Sequence, residues 1–231
     1  MTEGRQRGEL SRVMFPRITS VIFDFGGVLG LPQDPVWAQA MADMCCLPLP
    51  AFLTLYMRDR LDLDRGTVSS AEYWGRILAE ARKPAPTDLV DRLVRADVAG
   101  WTRVNRCVVD WSARLRGEGI RTAILSNMPQ DILDAMWKEP GLQWMADFQA
   151  RLFSCEVGLV KPEPGIYRRC LEALGALPAE TVFLDDVSVN VDGARALGIQ
   201  GLLFRSPREA AGEIEKRWGL AVESLRGDCD D

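Results

Sequence analysis

Residues 20–29 read Ser-Val-Ile-Phe-Asp-Phe-Gly-Gly-Val-Leu, an apolar run that is interrupted by one carboxylate and a glycine pair. Near-continuous apolarity with β-branched residues is typical of a strand that is covered on both faces of a parallel sheet. In open α/β sheets, ligands bind beyond the carboxyl ends of the strands. We therefore predict a buried strand over 20–25, with Asp24 at the edge of the sheet where a ligand site is expected.

Four more segments have the same character, and helical patterns separate most of them. The further predicted strands cover 121–125, 150–153, 181–184 and 200–204. The helical patterns that follow them cover 130–137, 163–174, 189–197 and 207–218. Strands that alternate with helices at this rhythm indicate right-handed βαβ units. The predicted fold class is therefore α/β, with a doubly wound parallel sheet.

The interval between the first two strands is too long for a single crossover and is helical in pattern throughout. Its predicted helices cover 35–44, 50–58, 70–81, 87–98 and 103–116. Because one crossover helix is enough, we interpret 32–100 as a small all-α domain inserted into a core formed by 18–31 and 101–231. The aromatic residues in or near this insertion are expected to serve packing more than substrate contact: Trp37, Tyr56, Tyr73, Trp74 and Trp101.

Composition excludes several classes of chemistry. The 231 residues include 28 Lys plus Arg, 33 Asp plus Glu and no histidine, for a net charge of −5. Without imidazole there is no Ser-His-Asp or Cys-His nucleophile, no H-E-x-x-H metalloprotease helix and no Cys/His zinc finger. The acidic balance argues against nucleic acid as a partner, because nucleic acid binding needs clustered Lys and Arg. Carboxylates, Lys, hydroxyls, thiols or a hard metal ion must therefore carry the chemistry.

The rest of the sequence indicates a soluble, cytoplasmic protein. Residues 1–17 are polar and Arg-rich, without the apolar segment of a signal peptide, and we expect a mobile arm. No run approaches the roughly 18 apolar residues of a membrane span, so no membrane partner is expected. Six cysteines without a C-x-x-C pair favour reduced thiols over a disulfide framework. A monomer and a homodimer both remain open.

Chemically useful side chains follow four of the predicted strands. Asp24 follows the first strand, Ser126-Asn127 the second, Lys161 lies in the loop after the third, and Asp185-Asp186 follows the fourth. Two adjacent carboxylates at the end of a buried strand are costly unless a positive charge compensates them. The set therefore points to a site that combines carboxylates with a lysine and a cation.

A phosphate monoester bound beside Mg²⁺ would use every member of this set. Mg²⁺ prefers oxygen ligands and commonly binds through one or two carboxylates, here Asp24 and Asp186. Ser126 and Asn127 could donate hydrogen bonds to phosphate, and Lys161 could offset its charge. Asp24 could then act as a nucleophile and form an aspartyl-phosphate that water hydrolyses.

These residues, in this order, resemble the four motifs of the haloacid dehalogenase (HAD) superfamily. The motifs here are Phe23-Asp24-Phe25-Gly26-Gly27-Val28-Leu29, Leu125-Ser126-Asn127, Lys161-Pro162, and Phe183-Leu184-Asp185-Asp186 with Asn190-Val191-Asp192-Gly193-Ala194. The resemblance runs from about residue 18 to 205 and implies a Rossmann-like core. The insertion resembles the C1 cap of this superfamily. Within it, 62–66 and 69–74 are similar to the subgroup with sugar-phosphate phosphatases and the phosphatase domain of soluble epoxide hydrolase.

The resemblance assigns a role to each motif residue. It implies that Asp24 is nucleophile and metal ligand, and that the carbonyl of Gly26 is a second ligand. Ser126 and Asn127 would hold phosphate, and Lys161 would neutralise nucleophile and phosphate. The metal site would be completed by Asp186, which we prefer to Asp185 because Asn190 then falls where many relatives carry another acidic residue. The implied activity is Mg²⁺-dependent hydrolysis of a small phosphomonoester such as a sugar phosphate.

Gly26 departs from the superfamily pattern, which places a second aspartate there to protonate the leaving oxygen. General acid-base catalysis is typically worth about 10²- to 10⁴-fold in rate, so the loss matters. One outcome is a phosphatase for leaving groups that need little protonation, or one that takes an acid from the cap, with Asp34 and Asp62 as candidates. A dehalogenase-type hydrolase and a catalytically silent binding protein are the alternatives. We favour the phosphatase.

Overall fold

The computed structural model describes residues 17–226, in which five strands and eleven α-helices are found. The strands are β1 (Ser20–Phe23), β2 (Arg121–Ser126), β3 (Ala150–Phe153), β4 (Thr181–Asp185) and β5 (Gln200–Leu203). The α-helices are α1 (Pro35–Cys45), α2 (Leu49–Arg58), α3 (Arg60–Arg65), α4 (Ser70–Glu80), α5 (Thr87–Gly100), α6 (Arg106–Gly117), α7 (Gln130–Lys138), α8 (Ser154–Val157), α9 (Pro164–Leu174), α10 (Ser188–Arg195) and α11 (Pro207–Trp218). Except for Arg17, the predicted arm over 1–17 lies outside the described residues.

All five strands are parallel, in the order β3-β2-β1-β4-β5, which confirms the predicted doubly wound sheet. The central strand is β1, and its last residue Phe23 is level with Ile124 of β2 and Leu184 of β4. The chain moves from β1 to one side of the sheet and later returns to build the other side from β4. The direction therefore reverses between β1 and β4, which is where ligands bind in open α/β sheets.

Alternate side chains of β1 point into two hydrophobic cores, one on each face of the sheet. Phe23 belongs to the first core and packs edge-to-face on Trp111 of α6, with ring centroids 5.5 Å apart. Ile22 belongs to the second core, together with Tyr167 of α9 and Phe183 of β4. Helices thus cover both faces, which explains why the strands are apolar throughout.

Helices α1 to α5 follow β1 and have a hydrophobic core of their own. Phe52 and Trp74 stack there with ring centroids 6.4 Å apart, and Leu78 and Leu93 are fully buried beside them. Because this cluster is separate from the two sheet cores, we propose that 32–100 is a cap domain inserted between β1 and α6.

Two short helices are absent from the sequence prediction. Helix α3 has six residues and α8 has four, so neither is long enough to display a helical period in the sequence. In α3, the residues Arg-Leu-Asp-Leu-Asp-Arg alternate between polar and apolar, which is the pattern of a strand. The helix is capped at its carboxyl end by Gly66, with φ +79°. This omission matters because α3 carries three residues that line the cavity described below: Arg60, Leu61 and Asp64.

Two findings concern the expectations for membranes and cysteines. Among residues 17–226, no single helix is long and apolar enough to cross a membrane, although α1 and α2 pass that test when taken together despite a 94° bend.

Cys45, Cys46, Cys155 and Cys170 are free thiols, as expected. Cys107 is disulfide-bonded, so the expectation of fully reduced cysteines is wrong there.

Candidate active site

The predicted motif residues meet at the carboxyl edge of the sheet. Asp24, Asp185 and Asp186 each offer a carboxylate oxygen, and these oxygens all lie within 4.8 Å of one another. Lys161 contacts two of these carboxylates, and Ser126 ends the neighbouring strand β2. The fold therefore brings together residues that are up to 162 positions apart in the sequence (186 − 24).

A tight turn over Phe25–Leu29 holds Asp24 in place directly after β1. The Asp24 carboxylate accepts a hydrogen bond from the backbone N–H of Phe25 at 2.7 Å. Gly27 adopts a left-handed backbone with φ +71°, which favours glycine. The turn thus fixes the carboxylate at the switch point of the sheet.

Lys161 is the positive centre of the site. Its side chain is 1% exposed, and its ammonium lies 2.8 Å from Asp24 Oδ1 and 2.7 Å from Asp185 Oδ2. Burial opposes the charged ammonium, but the two carboxylates outweigh it and raise the pKa of Lys161. The lysine is therefore charged and fixed between the end of β1 and the end of β4.

Burial and the neighbouring carboxylates act against a negative charge on Asp24. Burial raises its pKa to about 8; Lys161 opposes this rise, and Asp185 and Asp186 add to it. One lysine does not balance three carboxylates that lie this close together. The site therefore favours an additional cation.

Asp185 and Asp186 have different surroundings although they are adjacent. Asp185 is fully buried and, besides Lys161, accepts hydrogen bonds from the Val187 N–H at 2.8 Å and from Asn190 Nδ2 at 3.1 Å. Asp186 is exposed at the floor of the cavity described below. Partial burial and the neighbouring Asp185 raise the pKa of Asp186. The accessible carboxylate is thus Asp186, which supports the preference for it as the direct metal ligand.

Asn127 braces the loop that carries Lys161. Its amide Nδ2 donates to the Lys161 carbonyl at 3.1 Å, and its Oδ1 accepts from the Lys161 N–H at 2.8 Å. Ser126 is buried beside it, and its hydroxyl makes only a long 3.4 Å contact with the Asn127 carbonyl. Ser126 and Asn127 both line the cavity. The structure thus gives Asn127 a bracing role that the sequence did not indicate.

A cavity of about 440 Å³ lies above these residues, between the sheet edge and the helices of the insertion. Its floor is polar and includes Asp24, Ser126, Lys161 and Asp186. Its walls are largely apolar and include Met57, Leu61, Trp101, Met128, Ile132 and Met136. The chemistry is therefore concentrated on one side, and the remaining space suits an apolar group.

A buried polar cluster in the insertion was not predicted from the sequence. Arg60 donates from Nε to Asp64 Oδ1 at 3.0 Å and from Nη1 to Asp97 Oδ2 at 2.9 Å. The Tyr56 hydroxyl donates to Asp97 Oδ1 at 2.6 Å, and Gln33 Nε2 donates to the same oxygen at 3.2 Å. The i, i+4 spacing of Arg60 and Asp64 was the only sequence signal, and it also fits a solvent-exposed pair.

The two acids proposed from the sequence as proton donors do not line the cavity. Asp34 is the N-cap of α1, where its carboxylate accepts from the Val36 N–H at 2.9 Å. Asp62 is an exposed residue of α3. Those candidates are therefore wrong in position, whereas Asp64 of the same helix lines the cavity.

The structure also explains why glycine fits at position 26. A Cβ added to Gly26 would lie 3.1 Å from the ring of Trp101, which is tighter than ordinary contact. The indole of Trp101 therefore occupies part of the space that a side chain at 26 would need. An aspartate introduced at Gly26 would have to displace it.

The donor chemistry of the site fits a hard divalent cation. Mg²⁺ is bound in proteins through one or two carboxylates with further oxygen ligands. Asp24 and Asp186 offer carboxylate oxygens within 4.8 Å of each other, and Gly26, whose carbonyl is the further ligand proposed from the sequence, also lines the cavity. Asp185 accepts hydrogen bonds from Lys161 and Asn190, and it would support the metal ligands without binding the ion directly.

Replacing Gly27 with Ala should disrupt this metal site. The new Cβ would lie 2.2 Å from Asp186 Oδ2, and φ +71° adds strain for any residue with a side chain. Because the clash moves a proposed ligand, we expect Mg²⁺ affinity and turnover to fall by about 10- to 100-fold. Titration calorimetry with Mg²⁺ and a turnover assay measure these changes.

Gly219→Ala is the matched control for this substitution. Gly219 has a similar φ of +65°, with no atom within 4 Å of an added Cβ, and it ends α11. It should show the backbone strain, about 1 to 2 kcal/mol of stability, without loss of metal affinity. Equal effects of the two substitutions on Mg²⁺ binding would contradict the proposed role of Asp186.

Comparison with known protein families agrees with the fold and with the motif order. The family model described as haloacid dehalogenase-like hydrolase matches residues 18–198. Bifunctional epoxide hydrolase 2 of Rattus norvegicus is 30% identical over 215 residues, which are 85% of this chain and 38% of that protein. This chain therefore spans well under half of the length of that relative.

Two further similarities come from a phosphatase and a solved structure. A sesquiterpene phosphatase of Aspergillus oryzae is 26% identical over 152 residues, which are 60% of this chain and 76% of that protein. A HAD-family enzyme of Bacteroides thetaiotaomicron was solved in complex with magnesium and inorganic phosphate. It has a TM-score of 0.66 and 22% identity, and covers 81% of this chain and 94% of its own. At this identity, the likeness shows a shared fold.

Proposed function

The chain belongs to the haloacid dehalogenase-like hydrolases, and on that premise we propose that it is a Mg²⁺-dependent phosphatase. It hydrolyses a small phosphomonoester through an aspartyl-phosphate formed on Asp24. The partner is thus a small phosphorylated molecule. The cytoplasmic location and the choice between monomer and homodimer stay predictions.

The observation that carries the proposal is the position of Lys161 between Asp24 and Asp185, with Asp186 open to the same cavity. A carboxylate can attack a phosphate dianion only where nearby cations offset the repulsion, because two like charges 4 Å apart repel by about 4 kcal/mol at an effective dielectric of 20. Lys161 supplies one positive charge at hydrogen-bond distance from the nucleophile. The relatives named as phosphatase and solved with phosphate add support.

Each residue of the floor has a definite task in this mechanism. The Asp24 oxygen attacks phosphorus, while Lys161 and the Phe25 N–H orient the carboxylate. Ser126 donates to a phosphoryl oxygen, and Asn127 holds the loop that carries Lys161 in position through two hydrogen bonds to its backbone. Bound Mg²⁺ would neutralise negative charge that phosphoryl transfer places on the phosphate oxygens.

The walls of the cavity refine the substrate class. Its mouth exposes Met57, Leu61, Val187 and Val189, all of them apolar. A sugar phosphate, the example suggested by the sequence, would place hydroxyls against these walls, where the polar side chains of Gln33, Tyr56 and Arg60 are already bonded to Asp97. Burial of apolar surface instead contributes roughly 25 cal/mol per Å². We therefore propose an aryl or alkyl phosphate in preference to a sugar phosphate.

Release of inorganic phosphate from paired substrates tests this function. Phenyl, benzyl and hexyl phosphate should be hydrolysed with Mg²⁺ and should lose turnover when EDTA removes the metal. Glucose 6-phosphate and glucose 1-phosphate should be poorer substrates by kcat/KM.

The outcome of the same panel separates the alternatives. Preference for the glucose phosphates would contradict the proposed substrate class. Halide release from 2-chloropropionate without Mg²⁺ would favour a dehalogenase. No turnover of any ester or halide, with Mg²⁺ binding intact, would favour a binding protein.

A further inference from the structure

Gly26 leaves the proposed phosphatase without the side chain that would protonate the leaving oxygen, so another residue near the cavity has to supply that proton for weakly acidic alcohols. Among the described residues, the carboxyl side chains that line the cavity are those of Asp24, Asp64 and Asp186. Asp24 is the proposed nucleophile and Asp186 the proposed metal ligand. The third carboxyl, on α3, has no role in the mechanism above.

We propose that Asp64 of α3 is the general acid that protonates the leaving oxygen and the base that later activates water. This inference rests on the proposed phosphatase function. It places the catalytic acid in the inserted helices instead of in the turn after β1, where the family pattern has it.

The position of Asp64 is fixed by the core itself. Its backbone carbonyl accepts a hydrogen bond from the Ser154 hydroxyl at 2.6 Å, and that hydroxyl accepts from the Met128 N–H at 2.8 Å. Met128 directly follows Asn127, which braces the Lys161 loop, and lies two residues after Ser126, the proposed hydrogen-bond donor to phosphate. A short chain of hydrogen bonds therefore ties Asp64 to the phosphate-binding loop.

The next residue, Arg65, ties the same segment to the lysine loop. Its guanidinium pairs with both carboxylate oxygens of Glu163, at 2.6 and 3.0 Å, and Glu163 lies two residues after Lys161. A bidentate pair of this kind fixes orientation as well as distance. Asp64 is thus held over the floor by two core loops.

One oxygen of Asp64 is committed and the other is open. Oδ1 accepts from Arg60 Nε at 3.0 Å. Within residues 17–226, Oδ2 accepts no hydrogen bond, and Asp64 lines the cavity. The open oxygen is the one that can carry and transfer a proton.

The charges around Asp64 permit a protonated form. Burial raises the pKa of Asp64, while Arg60 and more weakly Lys161 oppose the rise and Asp97 adds to it. Arg60 is itself shared with Asp97, which limits how strongly it holds Asp64 in the charged form. Desolvation of this kind is how enzymes adapt carboxyl groups to act as acids.

In the proposed step, Asp64 gives a proton to the leaving oxygen as the ester bond breaks. The Asp24 oxygen forms a bond to phosphorus while the bond from phosphorus to the ester oxygen breaks, and that oxygen takes the bonding pair and the proton of Asp64. The products are the alcohol, the aspartyl-phosphate and the Asp64 carboxylate. Water then forms a bond to phosphorus and gives a proton to Asp64, while the bond from phosphorus to the Asp24 oxygen breaks and that oxygen keeps the bonding pair. The products are inorganic phosphate, the Asp24 carboxylate and the protonated Asp64.

Leaving groups of different acidity test this role through Asp64→Asn. Benzyl phosphate needs a proton on its leaving alcohol, whereas 4-nitrophenyl phosphate releases a stable phenolate. We expect kcat/KM of Asp64→Asn to fall about 10²- to 10⁴-fold for benzyl phosphate and far less for 4-nitrophenyl phosphate. Asp62→Asn, on the exposed side of the same helix, should leave both values unchanged.

Two more variants separate acid catalysis from a structural role. Asp97→Asn keeps the Asp64 carboxyl but leaves Arg60 to pair with Asp64 alone, which favours the Asp64 carboxylate, so it should impair benzyl phosphate more than 4-nitrophenyl phosphate, though less than Asp64→Asn does. If Asp64→Asn does not fold, Asp64→Glu keeps the charge for Arg60 but moves the carboxyl, and should again impair benzyl phosphate selectively.

The results that would overturn the inference are distinct from failure of the phosphatase proposal. An equal loss on both substrates, or no loss on either, would exclude Asp64 as the acid while leaving the phosphatase intact. A wild-type protein that releases phosphate from neither ester would instead refute the phosphatase proposal itself.

Discussion

Asp24→Asn should abolish phosphate release, with a loss of at least about 10⁴-fold in kcat, because the amide cannot attack phosphorus as a carboxylate does. No other described carboxylate can take its place. Asp185 is fully buried and bonded to Lys161 and Asn190, and Asp186 is the proposed metal ligand. Phosphate release with benzyl phosphate as substrate measures the loss.

The same variant should remain folded. An Asn side chain has the shape of Asp and its oxygen can still accept from the Phe25 N–H and from Lys161, which lie at 2.7 and 2.8 Å from the carboxylate. The substitution also removes the buried carboxylate of Asp24, and burial raises the pKa of that group to about 8. We therefore expect the melting temperature of the metal-free variant to be equal to or above that of the wild type.

Asp34→Asn is the control for this experiment. Asp34 caps α1 outside the cavity, and Asn is nearly as good an N-cap as Asp, so turnover and stability should both stay close to wild type. If Asp24→Asn kept more than a hundredth of wild-type turnover, roughly 3 kcal/mol of barrier or less would depend on Asp24, and the nucleophile would have to be another group.

The floor of the site could be predicted because strand ends are visible in the sequence. Apolar runs locate β1, β2 and β4, and the residues that follow them necessarily meet at one edge of a parallel sheet. Asp24, Ser126 and Asp185 were found in this way. The sequence preference for Asp186 over Asp185 as metal ligand rests on the position of Asn190, and the structure adds a difference that the sequence does not show: Asp185 is buried and hydrogen-bonded, whereas Asp186 is exposed.

The part of the site that the inserted helices contribute could not be predicted. It depends on contacts between helices, and no pattern in the sequence shows which helices touch. Helix α3 is too short to show a helical period, so nothing in the sequence indicated that Arg60 and Asp64 are buried. Their burial depends on Asp97 of α5, 33 positions after Asp64 (97 − 64). In the same way, nothing in the sequence connects Gly26 to Trp101, whose ring occupies the neighbouring space.

Lys161→Met should be the most destabilising substitution in the site. It removes the ammonium that lies 2.8 Å from Asp24 and 2.7 Å from Asp185, and leaves two buried carboxylates without a counterion. Breaking a buried ion pair by removing one partner costs about 3 to 5 kcal/mol. Chemical denaturation in the presence of EDTA measures this loss, and turnover should disappear with it.

Two further variants test whether Lys161→Met loses stability through unpaired charge or through lost packing. Lys161→Met combined with Asp185→Asn removes one of the stranded carboxylates and should recover much of the stability without restoring turnover. Arg58→Ala breaks the exposed pair with Glu80, whose atoms are 3.2 Å apart, and should cost no more than about 1 kcal/mol.

Mg²⁺ provides the decisive comparison, because a cation at the same carboxylates should take over part of the role of the missing ammonium. The stability gained on adding Mg²⁺ should therefore be larger for Lys161→Met than for the wild type, since a ligand that binds only the folded state stabilises it. A smaller gain in the variant would mean that Lys161 helps to build the metal site instead of sharing its charge with it. The electrostatic account of the site would then be wrong.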